Sequence, residues 1–135
     1  MDYRTVLTTC PYCGSGCGMY LPVLNGKLGE PIPAKTHPLS QGRLCIKGWS
    51  AHEHVASHDR LTKPLVKTGS GFKETTWDEA LELVVTRLLE LRDRHGPDSL
   101  AFLVSAKCTN EENYLQQKLA RAVFGTNNVD HCARL

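Results

Sequence analysis

The sequence predicts a small cysteine-rich β domain over residues 1–60, then the first βαβ unit of a larger doubly wound α/β domain over 61–135, so that the class runs from α+β into α/β. Three observations predict it. Residues 1–60 are rich in Cys, Gly, Pro and His and offer only short strand-like stretches. Residues 61–135 carry longer apolar periodicities in the order helix, strand, helix, strand, the alternation of a βαβ unit. Three of the six cysteines, Cys10, Cys13 and Cys17, fall within eight residues.

In chain order, Thr5 to Thr9 and Gly18 to Leu24 are predicted strands. Asn25-Gly26 is a hairpin signal, because both residues tolerate positive φ, and Lys27-Leu28-Gly29 starts the returning strand. Prolines at 31, 33 and 38 predict a loop from Pro31 to Gly42. A short helix is expected from about Gly48 to Ser57. Leu65 to Lys67 and Phe72 to Thr75, joined by Gly69-Ser70-Gly71, form a predicted hairpin. Thr76-Trp77-Asp78-Glu79 matches a capping box. The helix it opens carries Ala80, Leu81, Val84, Val85, Leu88 and Leu91 at helical spacing and ends at Gly96-Pro97. The apolar run from Ser99 to Ser105 predicts a buried strand, Asn110 to Phe124 an amphipathic helix closed by Gly125, and Asn128 to Cys132 a further strand. Two strands and a crossover helix leave a sheet edge and a helix face uncovered, so the unit is expected to be the beginning of something larger.

Composition removes several function classes. Hydrophobic residues make up 41% and charged residues 22%, which is globular rather than disordered. Sixteen basic residues against fourteen acidic ones leave a scattered net charge of +2, too weak for a nucleic-acid footprint. No stretch approaches the roughly 18 uninterrupted apolar residues of a membrane span. Met1-Asp2-Tyr3-Arg4 has no basic or apolar leader and no twin arginine, so the cytoplasm is expected. In that reducing compartment six cysteines point to metal binding or redox chemistry rather than disulfides.

The spacing is Cys10-x2-Cys13-x3-Cys17-x27-Cys45. Four thiolates can hold tetrahedral zinc or a 4Fe-4S cluster. Cys10-Pro11-Tyr12-Cys13-Gly14 looks like a zinc-ribbon knuckle, but Cys45 lacks the nearby partner that a second knuckle requires. Three close thiols and one distant thiol suit a cubane, and the glycines at 14, 16 and 18 allow tight turns around it. A thiol redox pair and inert core cysteines are the remaining alternatives. Cys108 and Cys132 are expected to be small buried residues. His52, His54 and His58, at i, i+2 and i+6, do not share a helical face and are expected to be solvated or packed. Trp49 and Trp77 are expected to pack at element boundaries. Glu111 and Glu112 fit the positive end of a helix dipole better than a catalytic role.

Cys10-Pro11-Tyr12-Cys13-Gly14-Ser15-Gly16-Cys17, followed by Gly42-Arg43-Leu44-Cys45-Ile46-Lys47-Gly48, resembles the N-terminal iron–sulfur region of the molybdopterin oxidoreductases. Thr109-Asn110-Glu111-Glu112-Asn113-Tyr114 and the stretch from Ala120 to Arg134 extend the resemblance, specifically to the formate dehydrogenase catalytic subunit. The resemblance implies that Cys10, Cys13, Cys17 and Cys45 ligate a 4Fe-4S cluster. It makes Lys47 an electron relay between cluster and pterin, and sets Lys107 near the pterin. It assigns 1–60 to the cluster-binding domain and 61–135 to the start of the pterin-binding domain. The implied reaction is reversible oxidation of formate to carbon dioxide at a molybdenum or tungsten bis(pterin guanine dinucleotide) centre completed by chain beyond residue 135. The implied partners are the rest of the catalytic subunit and iron–sulfur or flavin subunits that accept the electrons. A free-standing 4Fe-4S carrier and a zinc-ribbon interaction module are the alternatives. In the family, the pattern seen at Asn127 to Leu135 precedes a metal-binding selenocysteine or cysteine. Selenocysteine is therefore expected at position 136 of a continuous chain, with a split subunit as the alternative.

Overall fold

A computed structural model describes residues 1–132. The stretch 133–135, which leads to the expected selenocysteine position, lies outside the described residues. The described chain forms two compact units. One holds Met1–His58, Val104–Leu115 and residues 131–132, and the other holds Asp59–Leu103 and Gln116–Asp130.

In the first unit, β1 (Tyr3–Thr9) and β2 (Gly18–Leu24) pair antiparallel in unbroken register from Tyr3 opposite Leu24 to Thr9 opposite Gly18. Asn25 and Gly26 turn the chain with φ of 48° and 81°, the double positive φ that a right-twisted two-residue hairpin demands. β3 (Lys27–Leu28) then returns along the far end of β2. The predicted Pro31–Gly42 loop contains one strand after all. β4 (Ile32–Pro33) pairs with Tyr20 and Met19 of β2. Pro33 is tolerated there because an edge strand needs ladder hydrogen bonds on one side only. Ala34 N–H continues the pairing by donating to Gly18 O at 3.0 Å.

The single helix expected at 48–57 is two short ones, α1 (Ile46–Trp49) and α2 (Glu53–Ala56). Tighter turns link them: Ala51 N–H donates to Gly48 O and Glu53 N–H to Ser50 O. Between the helices, Ala51 enters the core with Cys10 and Met19, and Tyr12, Leu21 and Leu44 pack against these three.

The predicted elements of 61–132 are present with shifted bounds. β5 (Leu65–Thr68) and β6 (Gly71–Glu74) form the expected hairpin. α3 (Trp77–His95) starts at the predicted capping box: Thr76 Oγ1 accepts from Glu79 N–H at 3.3 Å, while Thr76 N–H donates to Glu79 Oε2 at 3.0 Å. A 3₁₀ turn at Pro97–Ser99 shortens the next strand to β7 (Phe102–Ser105). Phe102 is buried, but Leu103 is 79% exposed, so β7 is not covered on both faces. β7 pairs with β8 (Val129–Cys132). Between them α4 (Asn110–Lys118) widens into a π-helical turn at Leu119–Phe124. A continuous α-helix over 110–124 was the expectation. The wider turn lets Ala120 O receive two amides, those of Gly125 and Thr126, where the helix ends.

The core of the second unit is Leu100, Phe102, Ala120 and Phe124, with Leu88, Leu89, Leu91 and Val129 packed against it. The Phe102 and Phe124 rings lie 5.4 Å apart in a tilted arrangement. Thr126, 1% exposed, donates to Asp98 Oδ1 at 3.0 Å and accepts from Asn128 N–H at 3.2 Å. Asn128 Nδ2 donates to the carbonyls of Asp98 and Leu100. Trp49 and Trp77 are 44% and 67% exposed, so neither fills the element-boundary packing role expected of it. Among the described residues no helix is long and apolar enough to cross a membrane.

Candidate metal centre

The β1–β2 hairpin builds most of the centre. Its strands end at Thr9 and Gly18, so the connection between them is the cysteine stretch 10–17. Cys10 N–H donates to Cys17 O at 2.8 Å and closes the neck of this loop. Gly16 N–H donates to Cys13 O at 3.3 Å and turns its tip. Three thiols are thereby carried on one loop whose neck and tip are closed by backbone bonds.

Cys45 arrives from the other side of the sequence gap. It sits in extended conformation at the N-cap of α1, and Trp49 N–H donates to its carbonyl. The intervening loop is tied to the hairpin next to Cys17. Gly18 N–H donates to the buried Ser40 Oγ at 3.2 Å, and Ser40 N–H donates to His37 Nδ1 at 3.2 Å. With β4 fixed on β2, the chain is led back so that Cys45 faces the hairpin tip.

Cys10, Cys13, Cys17 and Cys45 all line one cavity of about 440 Å³, and Lys47 and Lys107 lie on its wall. Cys10 is buried, Cys13 and Cys17 are half-buried, and Cys45, Lys47 and Lys107 are exposed. Burial raises the Cys10 thiol above its ordinary value, and repulsion from Cys17, Cys13 and Cys45 raises it further. Hydrogen bonds from the Ser15 hydroxyl and amide lower Cys13, and the Lys47 charge adds to them. Cys10 therefore feels the charges of the other three thiols, while polar neighbours favour the thiolate at Cys13.

This donor set fits a cluster. All six cysteines are free thiols. Among the described residues no three His, Cys, Asp or Glu side chains close on a single-ion site. The four thiols line one cavity, and four cysteine thiolates are the ligand set of a 4Fe-4S cluster. Sulfur is a soft ligand suited to iron, and metal charge would relieve the mutual repulsion felt at Cys10.

The remaining candidates separate. Cys108 is half-buried, but Cys132, expected to be buried, is exposed. Its Sγ lies 3.3 Å from Ser105 Oγ, which with the Ala106 amide and the Lys107 charge lowers the thiol. His54 and His58 are exposed, whereas His52 is half-buried with Nδ1 lacking a hydrogen-bond partner. Glu112 ties down the start of its own helix. Its carboxylate accepts from Thr109 N–H at 2.7 Å while Glu112 N–H donates to Thr109 Oγ1 at 3.3 Å. This second capping box was missed, although Thr109-x-x-Glu112 carries its signature. Also missed were Ser15, Ser40 and Asn110, whose Nδ2 donates to Gly14 O at 3.0 Å. No local pattern announces a partner 96 residues away.

Comparison with known proteins agrees with this geometry. Residues 3–57 match the molybdopterin oxidoreductase Fe4S4 domain, and residues 60–135 match the molybdopterin oxidoreductase family. The chain is similar to the F420-dependent formate dehydrogenase 2 subunit alpha of Methanococcus maripaludis, with 51% identity over 99% of this chain and 19% of that protein. The F420-dependent formate dehydrogenase subunit alpha of Methanocaldococcus jannaschii is 50% identical over 100% of this chain, again 19% of its own length. The chain thus spans about a fifth of these curated relatives. A cysteine-lined cavity built on a hairpin, inside a match to one family's cluster domain and followed directly by a match to its main domain, leads to one conclusion: this chain belongs to the molybdopterin oxidoreductases.

Proposed function

We propose that this chain is the N-terminal part of a formate dehydrogenase catalytic subunit, and that Cys10, Cys13, Cys17 and Cys45 hold its 4Fe-4S cluster. The observation that carries the reading is the convergence of these four thiols on one cavity wall beside Lys47 and Lys107. Formate oxidation yields carbon dioxide, one proton and two electrons. When bound, the cluster supplies one-electron transfer out of the site, and a molybdenum or tungsten bis-pterin centre supplies the two-electron chemistry.

The chain's own residues supply geometry and field. The backbone bonds of 10–17 preform the loop that carries three of the thiols, which lowers the ordering cost of binding. Ser15, beside Cys13, favours its thiolate form. Lys47 puts a positive charge on the cavity wall, where it stabilises added electron density, and we assign it as the relay toward the pterin. Lys107 is assigned to the pterin side of the same wall. The first βαβ unit of a doubly wound sheet, iron–sulfur or flavin partner subunits, a cytoplasmic setting and selenocysteine after Leu135 belong to the same proposal. They rest on the sequence pattern and on the resemblance; the relatives' names add only that an alpha subunit has other subunits.

The test is metal and sulfide analysis of the full-length protein purified without oxygen. Four iron atoms and acid-labile sulfide at this site, lost when Cys10, Cys13, Cys17 or Cys45 is changed to Ser, are expected together with formate-dependent reduction of an acceptor dye. Stoichiometric zinc without sulfide would overturn the cluster, and an inert response to formate would overturn the substrate.

A further inference from the structure

The peptide that joins Cys17 to Gly18 is held from both sides. Its carbonyl accepts from Cys10 N–H at 2.8 Å across the neck of the cysteine loop, and its N–H donates to the buried Ser40 Oγ at 3.2 Å. Gly18 O accepts from Ala34 N–H at 3.0 Å, so Gly18 fastens the segment that leads to Cys45 through its amide and its carbonyl. From Ala34 to Arg43 that segment folds back on itself. His37 N–H and Gly42 N–H each donate to Ala34 O at 3.1 Å, Gln41 N–H donates to His37 O at 3.0 Å, and Arg43 N–H to Ser40 O at 2.8 Å. Gln41 holds a φ of 47°, a left-handed conformation that a residue with a side chain keeps only where its surroundings impose it.

The half-buried His37 side chain organises this fold-back. Ser40 N–H donates to His37 Nδ1 at 3.2 Å, and Ser40 Oγ lies 3.2 Å from the same nitrogen. A backbone N–H can only donate, so Nδ1 is the acceptor and carries no proton. The ring also lies against Gly18. A Cβ there would stand 2.4 Å from His37 Cδ2 and 2.6 Å from His37 Cγ, so the imidazole occupies space that only glycine leaves. Contacts thus run from His37 to Ser40 to Gly18, and end on the peptide whose carbonyl is bonded to Cys10.

We propose that His37 is a positioning residue for the cluster. By accepting Ser40 N–H at Nδ1 it keeps Ser40 Oγ on Gly18 N–H, and so holds the Cys17–Gly18 peptide and the segment returning Cys45 where four thiols meet one cavity. This rests on the reading of Cys10, Cys13, Cys17 and Cys45 as cluster ligands. The experiment uses the full-length protein purified without oxygen. Iron and sulfide are measured first, and the loss of the cluster's visible absorbance to an iron chelator is then followed. His37→Ala is expected to release its iron roughly tenfold faster than the parent, the order of effect of losing one hydrogen bond. His37→Asn, whose Oδ1 accepts where Nδ1 did, should stay within about twofold of the parent. Gly18→Ala should match His37→Ala, because its methyl displaces the ring. Adding Gly18→Ala to His37→Ala should change nothing further, since the ring it would strike is gone. Equal release from His37→Ala and His37→Asn would overturn the proposal, because the acceptor would then be irrelevant. So would a parental rate in His37→Ala or in Gly18→Ala. If His37→Ala loads no iron, His37→Asn decides: parental loading supports the proposal, and failure to load overturns it. Absence of iron from the unaltered protein would count against the cluster reading itself, and the initial iron analysis tells the two apart.

Discussion

Lys47 and Lys107 are the two cationic side chains among the residues lining the cysteine cavity, and they reach it from different parts of the chain. Lys47 sits two residues past Cys45 on α1, so the helix that starts at the last cysteine also presents the charge. Its influence on Cys13 is one of charge rather than of a hydrogen bond. Lys47→Ala is therefore expected to retain four irons while slowing turnover with an external acceptor roughly tenfold, the rate equivalent of about 1.4 kcal/mol. Lys47→Arg keeps the charge and should fall between the two. Steady-state turnover with iron analysis checks this, and an unchanged rate in Lys47→Ala would remove the lysine from the electron path. Cys132 shows the opposite outcome of residue-level reading. Its type suggested burial, yet it is exposed beside Ser105, because burial depends on what covers a strand and not on the residue alone.

At the scale of elements, two helices begin with the same device. Thr76 with Glu79 opens α3, and Thr109 with Glu112 opens α4. Thr76→Ala is expected to cost about 1 kcal/mol, read from denaturant unfolding, since it leaves the Glu79 amide without its acceptor. Glu79 also makes the first box sensitive to acid. Hydrogen bonds from the Thr75 hydroxyl, the Thr76 amide and the Thr76 hydroxyl lower its carboxyl from 4.5 to about 2. The folded state thus binds fewer protons than the unfolded state between those values. The contribution is complete above pH 4.5 and fades as the pH falls toward 2. Glu79→Gln should flatten the stability profile across that window, and a profile identical to the parent would refute the link. The π turn after α4 escaped prediction because its sequence, Leu119 to Phe124, is a good α-helix pattern. What widens it is the end of the helix, where two amides share Ala120 O.

At the scale of the molecule, many large apolar side chains of the described residues are exposed. Leu81, Leu83, Val84 and Val85 on α3 are each about half exposed (54%, 51%, 51% and 50%), and Leu103 is 79% exposed. Full burial of each such side chain contributes about 1.5–3 kcal/mol, so covering these faces would stabilise the chain. Residues 1–135 expressed alone should bind an apolar fluorescent dye strongly and associate, whereas the longer chain proposed above should not. Weak dye binding by the isolated segment would show that these faces need no cover. By itself the sequence determined the local devices: the Asn25-Gly26 turn, the Thr76 capping box, the alternation of 61–132, and the four cysteines with Lys47 as a set. Each is written within a few residues or in a family pattern. Only the tertiary structure decided that β4 joins β2 through Tyr20 and Met19, that Ser40 ties Gly18, and that Asn110 reaches Gly14 across 96 residues. Those pairings depend on the path of the folded backbone, and a hydrogen bond between distant residues leaves no periodicity or spacing in the chain that makes it.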